Sequence, residues 1–374
     1  MGLFLQQHKV KCSVCGRELG ENEYLTSCLF CGGIPIIEYE APVFKVDESK
    51  PGILRYGSLL PQMRVASTRG EGLTPIMELD GVLVKNERFN PTGSYADRAS
   101  ALISSHIASS GIRRIKVRYE PGFTRSLSYY LPRGVRAHYC VEKPLEIDID
   151  DLFELANRGE LSACGNSVGV PVEYTSALTV EGLKTIVFEI YEKRVNVEYI
   201  VVPAMTGVLA FSLAKGLSEL ERSELAIDLK VIAVFPEGAV IPDFLKNMDR
   251  VEIVRASSED ALDSFNYLLK KGIYTVPLSA MGFQVAKIIQ GSIAVLTIGY
   301  KPRSRRRRSR LAEEVLKTLE KLDRATAYEI WRNNPESSLR GIYKAIKSLM
   351  REGLVCEEPM SRGRRKIILY RLCS

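Results

Sequence analysis

The chain has 374 residues, 45% hydrophobic and 26% charged, which is ordinary globular composition with room for two or three domains. No apolar run reaches the roughly 18 residues of a membrane helix, and the stretch around Gln6 to Lys9 carries no secretory hydrophobic region, so a soluble cytoplasmic protein with no membrane partner is expected. The net charge of +7 is unevenly spread: residues 301–374 hold 20 Lys and Arg against 9 Asp and Glu, a surplus of +11, while the rest of the chain sums to −4, which points to an acidic polymer or surface as partner of the last fifth.

Residues 1–40 contain Cys12-x2-Cys15-Gly16 and Cys28-x2-Cys31-Gly32. Each knuckle brings two thiolates to one point, and a glycine after the second allows a positive φ. Four sulfurs complete a tetrahedral, closed and therefore structural Zn2+ site. Two disulfides are the alternative. The other four cysteines, Cys140, Cys164, Cys356 and Cys373, are scattered, and nothing indicates export.

Residues 41–302 alternate β-branched runs with amphipathic stretches, the pattern of α/β layers with parallel strands. Strands are expected over Tyr199 to Pro203 and Leu229 to Phe235. Helices are expected over Glu181 to Tyr191, with Lys184 and Glu189 alternating with apolar residues, and over Val208 to Leu220. By itself Asn90-Pro-Thr-Gly-Ser-Tyr-Ala-Asp-Arg98 reads as a turn opening a helix. It also resembles the Asn-Pro-Thr-Gly-Ser-Phe-Lys-Asp-Arg signature of threonine synthase, a pyridoxal-phosphate (PLP) enzyme of the tryptophan-synthase β fold. The resemblance continues through Glu71-Gly-Leu-Thr-Pro75, Lys85-x-Glu87, Glu181-Gly-Leu-Lys-Thr185, Val234-Phe-Pro-Glu-Gly-Ala239 and Val295-Leu-Thr297. It implies a two-lobed fold type II body, and archaeal-type members of the family also carry an N-terminal zinc ribbon.

The resemblance weakens where the cofactor would be held. It places the Schiff-base lysine at Ala96, whose methyl cannot condense with an aldehyde. The family's Ser-Thr-Gly-Asn-Thr loop corresponds to Glu120-Pro-Gly122-Phe123-Thr124, with phenylalanine in place of asparagine. The glycine-rich phosphate loop corresponds to Ala204-Met-Thr206-Gly207-Val-Leu209, which keeps one glycine. Thr297 keeps the place of the hydroxyl that faces the pyridine nitrogen. Ser94, Ala96, Gly122, Phe123, Thr124, Thr206, Gly207 and Thr297 are therefore expected to line an altered ligand pocket, PLP is not expected as cofactor, and rescue by the amine of Lys85 or Lys184 is the exception weighed against this.

Residues 303–310, Arg-Ser-Arg-Arg-Arg-Arg-Ser-Arg, read as a basic linker including Arg305, Arg306, Arg307 and Arg308. Residues 311–374 then show Leu311, Val315, Leu319 and Leu322 at helical spacing, a short helix from about Thr326 to Arg332, and a third helix from Ser337 or Ser338 to near Gly353. On that helix Leu339, Ile342, Ile346 and Leu349 form one face; Arg340, Lys344, Lys347 and Arg351 form the other, bordered by Tyr343. Strands over Leu354 to Glu357 and Lys366 to Arg371, joined by a basic loop with Arg362, Arg364 and Arg365, complete a pattern that resembles the winged helix-turn-helix of transcription regulators. The expected protein is a homodimeric DNA-binding regulator on a catalytically inactive threonine synthase-like body, sensing an amino acid or related metabolite as small-molecule effector. A PLP-dependent threonine synthase-like lyase and an RNA- or protein-binding scaffold are the alternatives.

Overall fold

The computed structural model describes residues 8–20, 23–165, 168–246, 248–298, 309–351, 355–362 and 365–372, and the chain divides into two compact units, 1–301 and 302–374.

In the first unit a six-stranded sheet runs in the order Val251–Ala256, Lys230–Pro236, Tyr199–Pro203, Ser292–Leu296, Val82–Asn86, Ile76–Leu79. All neighbours are parallel except the last pair, a hairpin. Its central strands are apolar on both faces, as in Ile200-Val201-Val202 and Val231-Ile232-Ala233-Val234-Phe235, because helices cover both sides. A smaller parallel sheet, ordered Glu160–Ala163, Arg136–Val141, Arg114–Arg118, Val170–Val172, forms the second lobe. The expected strand Tyr199–Pro203 is observed as such, and that expected over Leu229 to Phe235 is shifted by one residue to Lys230–Pro236.

The helix expected over Glu181 to Tyr191 spans Ala177–Glu192, and here the sequence reading needs correction. Every residue from Ala177 to Ile190 is buried, Lys184 and Glu189 included. Charges survive there because each has a partner supplied by another helix or strand: Lys184 Nζ lies 2.6 Å from both Glu181 and Glu219, and Glu189 is bound by Lys85 and Arg98.

The N-terminal strands His8–Cys12 and Pro35–Tyr39 pair antiparallel, and Val10, Leu25, Ile37 and Tyr39 join the core of the larger body. Tyr39 donates to the buried Glu181 at 2.8 Å. Two cysteines that look unrelated in sequence, Cys140 and Cys164, are joined as a disulfide. The pairing of Arg136–Val141 with Glu160–Ala163 brings them together across 24 residues.

The second unit contains helices Arg310–Leu322, Ala327–Arg332 and Leu339–Arg351 and an antiparallel sheet in the order Arg324–Ala325, Arg365–Leu372, Val355–Arg362. Val315, Leu319, Ile330, Ile342, Ile346, Leu349 and Tyr370 form its core. Thr326 and Glu329 make a reciprocal capping box at the second helix. Two boundaries differ from expectation. Ser309 caps the first helix through Ala312 N, so Arg310 is helical and not linker. The hairpin strands run on to the Arg362–Arg365 pair, so Arg362 and Arg365, expected in the basic loop, lie in strands. Pro359 is tolerated inside Val355–Arg362 because that strand is an edge. Among the described residues no helix is long and apolar enough to cross a membrane.

Candidate functional sites

Strand ends from both lobes of the first unit converge on a cavity of about 340 Å³. The smaller lobe contributes Ser94, Tyr95, Ala96, Glu120, Gly122, Phe123 and Tyr174. The larger contributes Ala204, Met205, Thr206, Gly207, Leu209, Leu278, Ser279 and Thr297. Seven of the eight residues expected in the pocket line it, and Thr124 does not. Its side chain is fully buried and its Oγ1 accepts from Glu120 N at 2.8 Å, because the loop turns back at Gly122 (φ +75°) to start the Phe123–Tyr130 helix. Thr124 therefore braces the loop from behind.

Ala96 is the first residue of the Ala96–Ser109 helix, with Ser94 Oγ accepting from its N–H at 3.1 Å. Thr297 Oγ1 donates to Gly93 O at 3.0 Å and so ties the strand end to the turn before Ala96. Gly207 (φ +76°) opens the Val208–Arg222 helix, and a Cβ there would stand 2.5 Å from Leu245 Cδ1. Among the described residues no lysine, arginine or histidine lines the cavity. Among these described residues the one carboxyl is that of Glu120, which burial pushes up to about 7 against the pull of Arg118. Burial also pushes Tyr95 up to about 12 and Tyr174 well above its ordinary value, so both hydroxyls stay protonated. Sequence reasoning passed over Glu120, Tyr95 and Tyr174; the first was legible as an acid where the family has a hydroxyl.

Beneath the cavity the charged residues of the Asn90–Arg98 segment are fully engaged. Arg98 donates to Glu87 from Nε and Nη2, both at 2.8 Å, and to Glu189 from Nη1 at 2.5 Å and Nη2 at 3.0 Å. Lys85 Nζ lies 2.7 Å from Glu189 and also donates to Thr74. Burial pushes Glu87 up, but Arg98 and Lys85 outweigh it and hold the carboxyl at about 2. Lys184 is held in the second buried cluster described above, with Lys215 bridging Glu181 and Glu219.

At the N-terminus the four cysteine sulfurs all lie within 4.8 Å of one another, an arrangement that could hold a metal ion, and the four are free thiols. Gly16 (φ +68°) and Gly32 (φ +72°) take the left-handed conformation expected after each knuckle.

In the second unit Arg340, Tyr343, Lys344 and Lys347 are exposed on Leu339–Arg351, opposite buried Ile342, Ala345, Ile346 and Leu349. None of the three cations pairs with an acid among the described residues. Arg305, Arg306, Arg307, Arg308 and Arg364 lie outside the described residues. So do the side chains of Arg351, Arg362 and Arg365.

Similarity to known proteins agrees with the architecture of the first unit. Solved structures that superpose on the chain include a maize serine racemase (TM-score 0.51, 14% identity, 61% of this chain and 89% of that one) and a PLP-dependent aspartate racemase (TM-score 0.50, 13% identity, 60% and 90%). A serine racemase from Dictyostelium discoideum gives TM-score 0.50 at 16% identity, over 61% and 92%. The first unit therefore has the mixed α/β fold of the fold type II PLP enzymes. In sequence the chain is similar to threonine synthases. It is 33% identical over 105 residues to that of Methanosarcina acetivorans (24% of this chain, 26% of the relative). It is 25% identical over 275 residues to that of Methanocaldococcus jannaschii (61% and 65%). The matches thus span about a quarter to just under two thirds of these relatives. The sequence matches no family model.

Proposed function

We propose that the chain is a DNA-binding transcription regulator built on a threonine synthase-like body that no longer performs Schiff-base chemistry. The observation that carries this reading is the face of Leu339–Arg351, where Arg340, Lys344 and Lys347 project with Tyr343 from a helix whose opposite side is core. Read as a winged helix, the unit sets this helix in the major groove and the Val355–Leu372 hairpin against the backbone as wing. The basic run 303–308 is a phosphate-tracking arm. A homodimer of the body would set the spacing of two reading helices. The four cysteines hold a structural Zn2+, since four thiolates leave no open position.

The cavity's donor set does not fit covalently held PLP. Ala96 stands where the resemblance places the lysine, no other described amine lines the wall, and the amines of Lys85 and Lys184 are bound in buried ion pairs. An effector held there without a covalent bond fits better, and closure of the two lobes on it would change DNA affinity by about 1–3 kcal/mol, the usual size of such coupling. The test is anisotropy of labelled duplex from the gene's upstream region and of a scrambled duplex, across a salt series. Arg340→Ala or Lys344→Ala should cost about 1–3 kcal/mol for the preferred duplex and narrow the preference by about that amount. Equal affinity for both duplexes, unchanged by either substitution, refutes the reading; tighter binding of structured RNA would turn it toward an RNA scaffold.

Similarity to the threonine synthases favours a second reading, a PLP-dependent lyase of that kind, and speaks to it more directly than to DNA. Incubation with PLP followed by borohydride separates the two. A yellow, reducible adduct on the native chain supports the enzyme. An adduct formed only by Ala96→Lys supports the retired site.

A further inference from the structure

Among the described residues the one carboxyl in the cavity wall, that of Glu120, lacks a counter-charge. Glu120 leaves the end of the Arg114–Arg118 strand on a loop fixed by two hydrogen bonds, Glu120 N to Thr124 Oγ1 at 2.8 Å and Thr124 N to Glu120 O at 3.0 Å. Its backbone is thus anchored, but its carboxylate accepts no hydrogen bond and joins no ion pair among the described residues. Arg118, the basic group whose charge it feels, is bound to Glu142 at 2.7 Å on the surface. The same wall carries Tyr95 and Tyr174, hydrogen-bonded to each other, and Phe123, whose ring centre lies 5.2 Å from that of Tyr174. Met205, Leu209 and Leu278 add apolar surface to a wall that also carries the hydroxyl side chains of Ser94, Thr206, Ser279 and Thr297. Glu120 is half-buried, and an unpartnered carboxyl on a fixed loop in the cavity mouth gains an ion pair when a cation arrives beside it.

We propose that this cavity binds a small organic cation, a protonated amine on an apolar or aromatic body, with Glu120 as its counter-ion and Phe123 and Tyr174 as its aromatic face. The inference rests on the proposed function's reading of the cavity as an effector site, and it narrows that reading. An α-amino acid would bring a carboxylate into a wall that offers it no described cation and one acid. An amine without a free carboxylate brings the charge the wall lacks.

Titration calorimetry of the full chain with phenethylamine, 3-phenylpropionate and 2-phenylethanol tests this, since the three share a body and differ in charge. The amine should bind at least about tenfold more tightly than the acid, and Glu120→Gln should remove about tenfold of its affinity or more while leaving the alcohol unchanged. A readout on the native protein guards against misfolding of the variant. Because burial holds Glu120 near 7 while Tyr95 and Tyr174 stay neutral and Arg118 is tied to Glu142, amine binding at neutral pH should release protons. The measured heat should then depend on the buffer, and affinity should rise from pH 6 to 8. Tighter binding of the acid, or an amine affinity that Glu120→Gln leaves untouched, overturns the cation proposal and leaves the cavity as a ligand site. Binding of none of the three overturns both.

Discussion

Replacing Arg98 by methionine tests whether the buried charges under the cavity hold it together. The guanidinium makes four hydrogen bonds to Glu87 and Glu189 and a fifth to Thr185 Oγ1 at 3.0 Å, all fully buried. Methionine fills much of the volume but leaves two carboxylates facing a single cation, Lys85, at 2.7 Å from Glu189 and 3.5 Å from Glu87. The intact cluster is neutral and the variant carries one uncompensated buried negative charge, so the loss should be about 3–5 kcal/mol at neutral pH. The penalty has a sign in pH. In the native chain Glu87 is held at about 2, below its ordinary 4.5, so its stabilisation is present above 4.5 and is lost as pH falls toward 2. In the variant the restraint by Arg98 is gone, both carboxyls take up protons at higher pH, and the penalty should shrink on acidification to about pH 5. Urea unfolding followed by circular dichroism at the two pH values measures this. Trp331, the sole tryptophan, belongs to the second unit and should report an unchanged transition. A loss below about 1 kcal/mol at neutral pH, or a loss that grows on acidification, would refute the reasoning.

Further outcomes follow from the same geometry. Purified native chain should carry one zinc, and Cys28→Ser should lose it in elemental analysis with a lower melting temperature, since three thiolates leave the site open. Ile346→Ala should destabilise the second unit by about 2–5 kcal/mol, read from Trp331 fluorescence, because Ile346 lies in the centre of the small core.

Local patterns are the ones the sequence made legible. The spacing of Cys12, Cys15, Cys28 and Cys31 predicted a convergent thiolate set because each knuckle is a short-range turn. The helix Leu339–Arg351 was readable because its apolar and basic residues alternate with the helical period, and Ile342, Ile346 and Leu349 are indeed buried while Arg340, Lys344 and Lys347 are exposed. The strand Tyr199–Pro203 was readable from β-branched content bounded by turns.

Tertiary pairing decided the rest. No period in the sequence indicated that Lys184 and Glu189 would be buried, because the groups that neutralise Glu189 come from residues 91 and 104 positions away. The two-residue strand Arg324–Ala325 exists only because Tyr370 and Arg371 offer it a free edge. Thr124 and Glu120 are four residues apart in one loop, yet the positive φ of Gly122 sends the first behind the wall and leaves the second in it. Periodicity and spacing are written along the chain, so the sequence alone determined the thiolate cluster, the parallel strands and the basic helix. Charge compensation depends on which distant segments meet, so only the folded chain decided which ions are locked in pairs and that Glu120 has no ion-pair partner among the described residues.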